Sequence, residues 1–294
     1  AQYVSFLAIS LKGSWVGSKS GRLQEGLEVL EMHSSHDAEV QLASASLNQT
    51  GVLRPLIVSL HTWSGSYSDP DPLAALAITE GWNFIHPDFR GPNWTQEACL
   101  SNAVISDIDD AIQFAIDHGS VDQKNIFLVG ASGGGYTTLG AYLRIKRKIR
   151  LFQAWVPISD LSAWYYQSAY RAGDISEQII KCSSPSEVFD EEAAKSRSPI
   201  FWDVPKPANG RLELYAGIDD GYTGSVPISH SIQFYNRLVS EYGNQAQIVE
   251  NSVVVSLLTR GPESTVNSKV IDGRTVFLAK ITPEVSLTIF QGGH

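Results

Sequence analysis

Short apolar runs alternate with amphipathic stretches along most of this chain. Residues 55–60 (PLIVSL) form a nearly continuous apolar run, which is typical of a strand buried on both faces of a sheet. Residues 101–118 place apolar side chains three and four positions apart, which predicts an amphipathic helix. Further strands are predicted over residues 82–86, 125–129, 152–156, 211–216 and 284–290, and further helices over residues 72–80, 136–143 and 228–242. The alternation predicts the α/β class, with a mostly parallel central sheet and helices on both faces.

Two pairs of segments are predicted to form hairpins beside this sheet. Residues 27–33 and 39–46 alternate apolar and polar side chains around a short polar turn, which predicts an N-terminal hairpin. Residues 253–259 and 275–280 also look like strands, and we expect them to form an added hairpin before the last strand.

The stretch after residue 160 interrupts the alternation. Residues 161–170 are rich in aromatic side chains and lead into polar helical sequence up to about residue 194, with no strand of the central sheet predicted there. We interpret residues from about 160 to 200 as a cap-like insertion over the functional site. The remaining pattern is continuous, so we expect a single domain over residues 1–294.

A sharp turn between a predicted strand and a predicted helix contains the pattern Gly-x-Ser-x-Gly, with Ser132 at its centre. A serine on such a turn has an unfavourable backbone conformation, and Gly130 and Gly134 are needed because the chain passes very close to it. The turn also places Ser132 at a helix N-terminus, where free N–H groups favour developing negative charge. The pattern therefore indicates a nucleophile, and a Gly/Ser-rich connecting loop is the alternative interpretation.

Candidate partners for this serine follow other predicted strands. In parallel sheets the functional site lies at the carboxyl ends of the strands. A nucleophilic serine needs a base, usually histidine, and the histidine needs a carboxylate that holds its tautomer. His294 follows the last predicted strand, while Asp219 and Asp220 follow the strand over residues 211–216. The order Ser, Asp, His is that of α/β-hydrolases, so we expect a triad of Ser132, His294 and one of the two aspartates.

These motifs resemble those of a single-domain α/β-hydrolase of the prolyl-oligopeptidase-like and carbohydrate-esterase-like group. The resemblance extends from about residue 55 to residue 294. It rests on LHTWSG (60–65), DFRG (88–91), GASGG (130–134), Ser198-Pro199, GIDD (217–220), Val226-Pro227 and GGH (292–294). In that group the acid stands in a Gly-x-x-Asp pattern before Val-Pro, which selects Asp220 over Asp219. Here residues 221–225 lengthen the loop before Val226.

The resemblance also implies an oxyanion hole and a lined pocket. Two preorganised donors are needed, and the backbone N–H of Gly133, directly after the nucleophile, is one of them. By similarity to the His-Gly-x loops of esterases, the backbone N–H of Trp63 is the other, with Thr62 in place of the usual glycine. The Trp63 ring would then line the pocket, although a core tryptophan is the alternative. Further candidates for substrate contact are His61, which also suits a bracing role in this loop, Trp94, Trp164 and Tyr165.

Composition excludes several other classes of function. A net charge of −9 disfavours nucleic-acid partners, and no apolar run approaches the roughly 18 to 20 residues of a membrane span. The chain has no His-x-x-x-His motif or Cys/His cluster, so we expect no metal or cofactor. Cys99 and Cys182 could form a disulfide in an oxidising compartment. The chain begins Ala1-Gln2, which is compatible with signal-peptide cleavage, so we expect a secreted or periplasmic protein.

From these features we expect a serine carboxylic-ester hydrolase, specifically an acetyl or feruloyl esterase that acts on acylated polysaccharide. The aromatic side chains would stack on a sugar ring or an aromatic acyl group, and the substrate class rests on analogy between folds. The alternative is a serine peptidase of the prolyl-oligopeptidase type. The motifs allow it, but such enzymes usually carry a large N-terminal domain that the short segment before Pro55 cannot supply. A non-catalytic binding protein is disfavoured because all three triad residue types are present.

Overall fold

The computed structural model describes residues 23–171, 173–260, 270–271 and 273–294. Within this part of the chain the strands are β1 (Glu28–His33), β2 (Val40–Ser46), β3 (Arg54–Leu60), β4 (Asn83–Pro87), β5 (Val121–Ala131), β6 (Leu151–Trp155), β7 (Arg211–Gly217), β8 (Val270–Ile271), β9 (Arg274–Ile281) and β10 (Val285–Phe290). The α-helices are α1 (Pro72–Glu80), α2 (Asn102–His118), α3 (Gly133–Arg144), α4 (Leu161–Ser168), α5 (Ile175–Ser183), α6 (Glu191–Ser196), α7 (Ser229–Glu241) and α8 (Asn251–Thr259).

The strands form one mixed sheet in the order β1-β2-β4-β3-β5-β6-β7-β10-β9-β8. The central neighbours from β4 through β3, β5, β6 and β7 to β10 are all parallel, while β1, β2, β9 and β8 add antiparallel edges. The predicted α/β class, mostly parallel sheet and N-terminal hairpin are therefore confirmed. Because the central strands are parallel, their carboxyl ends lie along a single edge.

Helix starts follow the local signals in the sequence. Asp71 caps α1, where its side chain accepts a hydrogen bond from the Leu73 N–H, and Pro72 occupies the first helical turn. Ser101 caps α2 in the same way by accepting from the Val104 N–H. These caps satisfy backbone donors that the helix leaves unpaired, so α1 and α2 begin where the sequence predicts them.

One predicted strand is wrong. Residues 253–259 belong to α8, whereas residues 275–280 do form a strand, β9, which pairs antiparallel with β10. In α8 the side chains that pack on the core are Val254, Leu257 and Leu258, while Val253 and Val255 are exposed. This spacing of three and four residues is helical, and it outweighs the strand preference of the valine run.

The stretch between β6 and β7 contains α4, α5 and α6, and among its described residues there is no strand of the central sheet. This agrees with the predicted aromatic-rich insertion. A disulfide joins Cys99 in the loop before α2 to Cys182 on α5, and both cysteines are fully buried. The insertion is therefore covalently fastened to the body of the fold. No helix in the described ranges has the length and apolar character needed to cross a membrane.

Candidate active site

Ser132 lies on the sharp turn between β5 and α3. Its backbone has φ 55° and ψ −117°, a conformation that is costly for a residue with a side chain. The turn is held from both sides, since the Ser132 N–H donates to the Trp155 carbonyl at 2.9 Å and the Tyr136 N–H donates to the Ser132 carbonyl at 2.9 Å. The strain is thus maintained by the surrounding structure, and it presents the side chain at the carboxyl edge of the sheet.

The glycines of the motif are required by close packing of backbone on backbone. A Cβ atom on Gly130 would lie 2.3 Å from the Gly134 carbonyl oxygen, and a Cβ atom on Gly134 would lie 2.1 Å from the Leu60 carbonyl oxygen. No side chain fits at these distances. The turn can therefore exist only with glycine at both positions, which is the reason given by the sequence pattern.

A chain of hydrogen bonds connects Ser132, His294 and Asp220. The Ser132 hydroxyl lies 2.8 Å from Nε2 of His294, and Nδ1 of His294 lies 2.7 Å from Oδ2 of Asp220. A carboxylate can only accept a hydrogen bond, so Nδ1 of His294 must carry the proton that it donates to Asp220. Nε2 is therefore unprotonated and can accept the proton of Ser132. Asp220 is 2% exposed, and its other oxygen, Oδ1, accepts from the N–H groups of Gly221 and Val226 at 2.9 and 3.0 Å.

Asp219, the other candidate acid, points elsewhere. Its carboxylate forms an ion pair with Arg260 at 2.7 Å, and the Asp219 side chain is 45% exposed. Its backbone N–H donates to the Gly292 carbonyl at 2.8 Å. This bond ties the loop after β7, residues 218–226, which carries both aspartates and is called the acid loop below, to the loop that carries His294. In this geometry, only Asp220 of the two aspartates meets the imidazole.

The predicted oxyanion donors lie against each other. A Cβ atom on Gly133 would lie 2.4 Å from the backbone nitrogen of Trp63, so the loop after β3 crosses directly over the first turn of α3. Within the described residues neither N–H donates to another protein group. Two free backbone donors beside a serine hydroxyl are the arrangement that binds a developing oxyanion.

The four predicted substrate contacts occupy different environments. His61 is buried, stacks on Phe89, and has its ring nitrogens 2.9 Å from the carbonyl oxygens of Thr62 and Asp88. Burial lowers the pKa of His61, while both ring nitrogens face carbonyl oxygens of the surrounding loops, which suits a residue that braces these loops better than a group that touches substrate.

The three aromatic candidates differ in their burial and in their contacts. Trp164 is almost fully buried, packs edge-on against Trp63 at 4.9 Å, and donates its ring N–H to the Ser225 carbonyl of the acid loop. Tyr165 is half-buried and stacks on Phe189 within the insertion. Trp94 is half-buried against the core. The structure brings Trp164 to the loop after β3, residues 61–65, which carries Trp63 and is called the oxyanion loop below. Contact of any of these side chains with substrate stays a prediction.

Several contacts at the site were not predicted from sequence. The insertion reaches the oxyanion loop through Gln178, which accepts a hydrogen bond from the Trp63 ring N–H, and reaches the acid loop through Arg171, which donates to the Gly224 carbonyl. These residues belong to no short motif. They are identified only because the folded chain brings them within hydrogen-bond distance of Trp63 and Gly224.

His230, in the first turn of α7, is another buried histidine. Its Nδ1 accepts from the Ser159 N–H at 3.2 Å and its Nε2 lies 2.9 Å from the Gln167 side-chain oxygen. A backbone N–H can only donate, so Nδ1 is unprotonated and the ring is neutral. Burial lowers the pKa of His230 from 6.5 to about 3. The residue therefore joins α7 to the segment after β6 as a neutral group.

This shift predicts acid-sensitive stability. Below pH 6.5 the unfolded chain binds a proton at His230 that the folded chain rejects, so the free energy of unfolding falls as the pH falls toward 3. At pH 5 the loss from this group is about 2 kcal/mol. We expect His230→Gln to be less stable at pH 8 but to lose less stability between pH 7 and pH 5, as measured by urea unfolding. The same substitution at the exposed His118 is the control, and an unchanged pH dependence in His230→Gln would contradict the assignment.

Residues 75–252, more than half of the chain, match the model of the prolyl oligopeptidase family. The chain belongs to the prolyl oligopeptidase family. A rice protein (Oryza sativa subsp. japonica), acylamino-acid-releasing enzyme 1, is 26% identical over 218 residues, which cover 67% of this chain and 26% of that protein.

Solved structures show the same fold. Acylaminoacyl peptidase from Pyrococcus horikoshii is similar with a TM-score of 0.62 and 17% identity, over 91% of this chain and 37% of that chain. Prolyl oligopeptidase B from Galerina marginata is similar with a TM-score of 0.57 and 17% identity, over 73% of this chain and 31% of that chain. These likenesses confirm the α/β-hydrolase fold. The chain spans only 26% to 37% of the length of these three relatives.

The expectation of a carboxylic-ester hydrolase acting on polysaccharide is wrong. The matched family is that of prolyl oligopeptidase, and the two similar solved structures are named as peptidases. Neither these nor the rice acylamino-acid-releasing enzyme supports the carbohydrate-esterase part of the resemblance. The broader expectation of a serine hydrolase agrees with the same comparisons. The motifs misled because ester and amide hydrolysis pass through the same acyl-enzyme chemistry, so a nucleophile, a base and an oxyanion hole serve both equally.

Proposed function

We propose that this protein is a serine peptidase in which Ser132, His294 and Asp220 form the catalytic triad. The observation that carries the proposal is the unbroken hydrogen-bond chain from Asp220 through His294 to Ser132, in a chain that belongs to a peptidase family. The strained turn at Ser132 and the free N–H groups of Trp63 and Gly133 support it.

The proposed reaction follows from this geometry. Ser132 Oγ attacks the carbonyl carbon of the peptide while Nε2 of His294 takes the hydroxyl proton, and Asp220 stabilises the resulting imidazolium. The N–H groups of Trp63 and Gly133 bind the carbonyl oxygen as it becomes negative. The C–N bond then breaks as the imidazolium gives its proton to the departing amine, which leaves an acyl group on Ser132. Water, activated by the same imidazole, hydrolyses the acyl-enzyme and restores the serine.

We propose peptides with an acylated N-terminus as the substrate class. The support is the similarity to a rice enzyme named for the release of acylamino acids and to structures named as acylaminoacyl peptidases. In a blocked peptide the first residue carries no ammonium group, so its entry into the site beside the buried Trp63 requires no desolvation of that charge.

Three p-nitroanilides test this proposal: acetyl-alanyl, free alanyl, which lacks only the acetyl group, and free alanyl-prolyl, which has an unblocked N-terminus. We expect kcat/KM to be highest for the acetyl-alanyl compound, with a preference over the free alanyl compound of about tenfold or more, since a buried uncompensated charge is disfavoured. Preference for the prolyl compound would leave the peptidase proposal standing and remove the acyl-peptide class. No cleavage of any of the three would contradict the peptidase proposal.

A further inference from the structure

The cap-like insertion sends one polar side chain to the loop that carries a proposed oxyanion donor. We propose that Gln178 is a positioning residue for this loop. By accepting the hydrogen bond of the Trp63 ring, Gln178 keeps the Trp63 backbone N–H directed at the carbonyl oxygen beside Ser132. The inference rests on the proposed acyl-transfer function and adds a residue that no motif of the chain contains.

The contact itself is short and sheltered. The ring N–H of Trp63 donates to Oε1 of Gln178 at 2.8 Å across 115 residues of sequence, and Trp63 is only 7% exposed. An indole N–H is a donor with no acceptor capacity, and in a buried place it needs a partner. Gln178 is the partner found among the described residues, so its removal leaves a buried donor unpaired.

The orientation of the Gln178 amide is fixed by its two hydrogen-bond partners. Its Nε2 donates to Oδ2 of Asp174, one helical turn earlier, at 2.7 Å. A carboxylate only accepts and an indole N–H only donates, so one assignment of the amide satisfies both neighbours. Asp174 therefore turns the oxygen of Gln178 toward Trp63.

Helix α5, which carries Gln178, is held firmly in place. Cys182 lies one turn after Gln178 on the same helix face and forms the buried disulfide with Cys99. At the end of the helix the Gln96 side chain donates to the Ser184 carbonyl at 2.8 Å. Because α5 is held in this way, the hydrogen bond to Gln178 restrains the position of the Trp63 ring.

Trp63 also contacts residues that lie next to the proposed nucleophile. Its ring packs against Trp164 and Tyr136, so the side chain is wedged between the insertion and α3. Its backbone lies in contact with Gly133, the residue after the nucleophile. A rotation of the ring therefore moves the backbone that provides one of the two proposed oxyanion donors. The Trp63 carbonyl accepts from the Asn93 N–H at 2.8 Å, which limits the movement and predicts a partial loss of rate.

The rate at which a fluorophosphonate labels Ser132 tests this inference. The phosphoryl oxygen occupies the oxyanion hole during attack, and no peptide needs to be cleaved. We expect Gln178→Leu, which removes the acceptor, to lower the second-order labelling rate about tenfold, because displacing an oxyanion donor weakens transition-state binding. With the acetyl-alanyl anilide the same variant is expected to lower kcat and leave KM within about twofold. Failure of the anilide assay alone would count against the proposed function and leave the labelling test intact.

A double-mutant cycle separates positioning from a general structural effect. Trp63→Phe deletes the ring N–H and keeps the backbone donor, so in that background Gln178→Leu should cause no further loss. The exchange Asp174→Asn with Gln178→Glu keeps an acceptor for the Trp63 ring N–H and reverses donor and acceptor only in the bond between positions 174 and 178. It should restore the labelling rate to within about twofold of wild type.

Three results would overturn the inference. They are a full labelling rate in Gln178→Leu, an equal loss from Gln178→Leu with and without Trp63→Phe, and an exchanged pair as slow as Gln178→Leu. Thermal unfolding of each variant confirms that folded protein is compared. If Gln178→Leu does not fold, Trp63→Phe removes the same hydrogen bond from its other end, and an unchanged labelling rate in that variant contradicts the inference.

Discussion

Ser132→Ala is expected to lower peptide-anilide turnover by about 10⁴-fold to 10⁶-fold, because the variant has no atom to form the acyl-enzyme. The residual rate would come from the oxyanion donors acting on bound water. The fold should be kept, since alanine removes only the hydroxyl group that lies 2.8 Å from His294. Turnover of the acetyl-alanyl anilide and stoichiometric fluorophosphonate labelling measure the two consequences.

The control for this variant is Ser240→Ala, which removes an exposed hydroxyl on α7. It should keep wild-type turnover and label fully. Wild-type turnover in Ser132→Ala would remove the nucleophile assignment. Loss of labelling in Ser240→Ala would show that the probe reports something other than the serine at the turn.

Asp220→Asn is expected to lower kcat by about 10³-fold to 10⁴-fold. Oδ1 of Asp220 accepts from the N–H groups of Gly221 and Val226, so the amide oxygen of asparagine would take that place. Its NH₂ group would then face Nδ1 of His294 and force the imidazole proton onto Nε2. In that tautomer the ring cannot accept the proton of Ser132.

Asp219→Asn is the matched control, because it makes the same change one residue away. The Asp219 carboxylate is exposed and pairs only with Arg260 among the described residues, so we expect kcat to stay within about threefold of wild type. Steady-state kinetics on the acetyl-alanyl anilide compares the two variants. A larger loss in Asp219→Asn would reverse the assignment of the acid.

The elements of the fold were predictable because their signals are local. A cap such as Asp71, the spacing of apolar residues in α2 and the buried run of β3 each act within one or two turns of chain. The error at residues 253–259 has the same origin. A run of valines favours a strand locally, and only packing against the core made the helical spacing of Val254, Leu257 and Leu258 decisive.

The candidate site was partly predictable for a related reason. Parallel strands place their carboxyl ends together, so residues that follow β5, β7 and β10 meet wherever they stand in the sequence. The choice of Asp220 over Asp219 rested on a motif, and the hydrogen bond to His294 agrees with it. Its catalytic role stays a prediction until the two asparagine variants are compared.

The type of bond hydrolysed was outside the reach of the motifs. Esters and amides share one set of catalytic groups, and substrate choice depends on the walls of the pocket. The insertion residues that reach Trp63 and the loop after β7, Gln178 and Arg171, belong to no short motif. The match to the prolyl oligopeptidase family was needed to overturn the esterase expectation, and it supports the peptidase proposal.

The amino-acid order alone was sufficient for the parallel sheet, the starts of α1 and α2 and the Ser132 turn, because each depends on neighbouring residues or on small residues at fixed spacing. The folded chain was needed for the positions of His61, Trp164 and Gln178 around that turn. Gln178 and Trp63 are 115 residues apart, and no periodicity or motif connects them. Such contacts depend on how separate elements pack, and packing is a property of the whole chain.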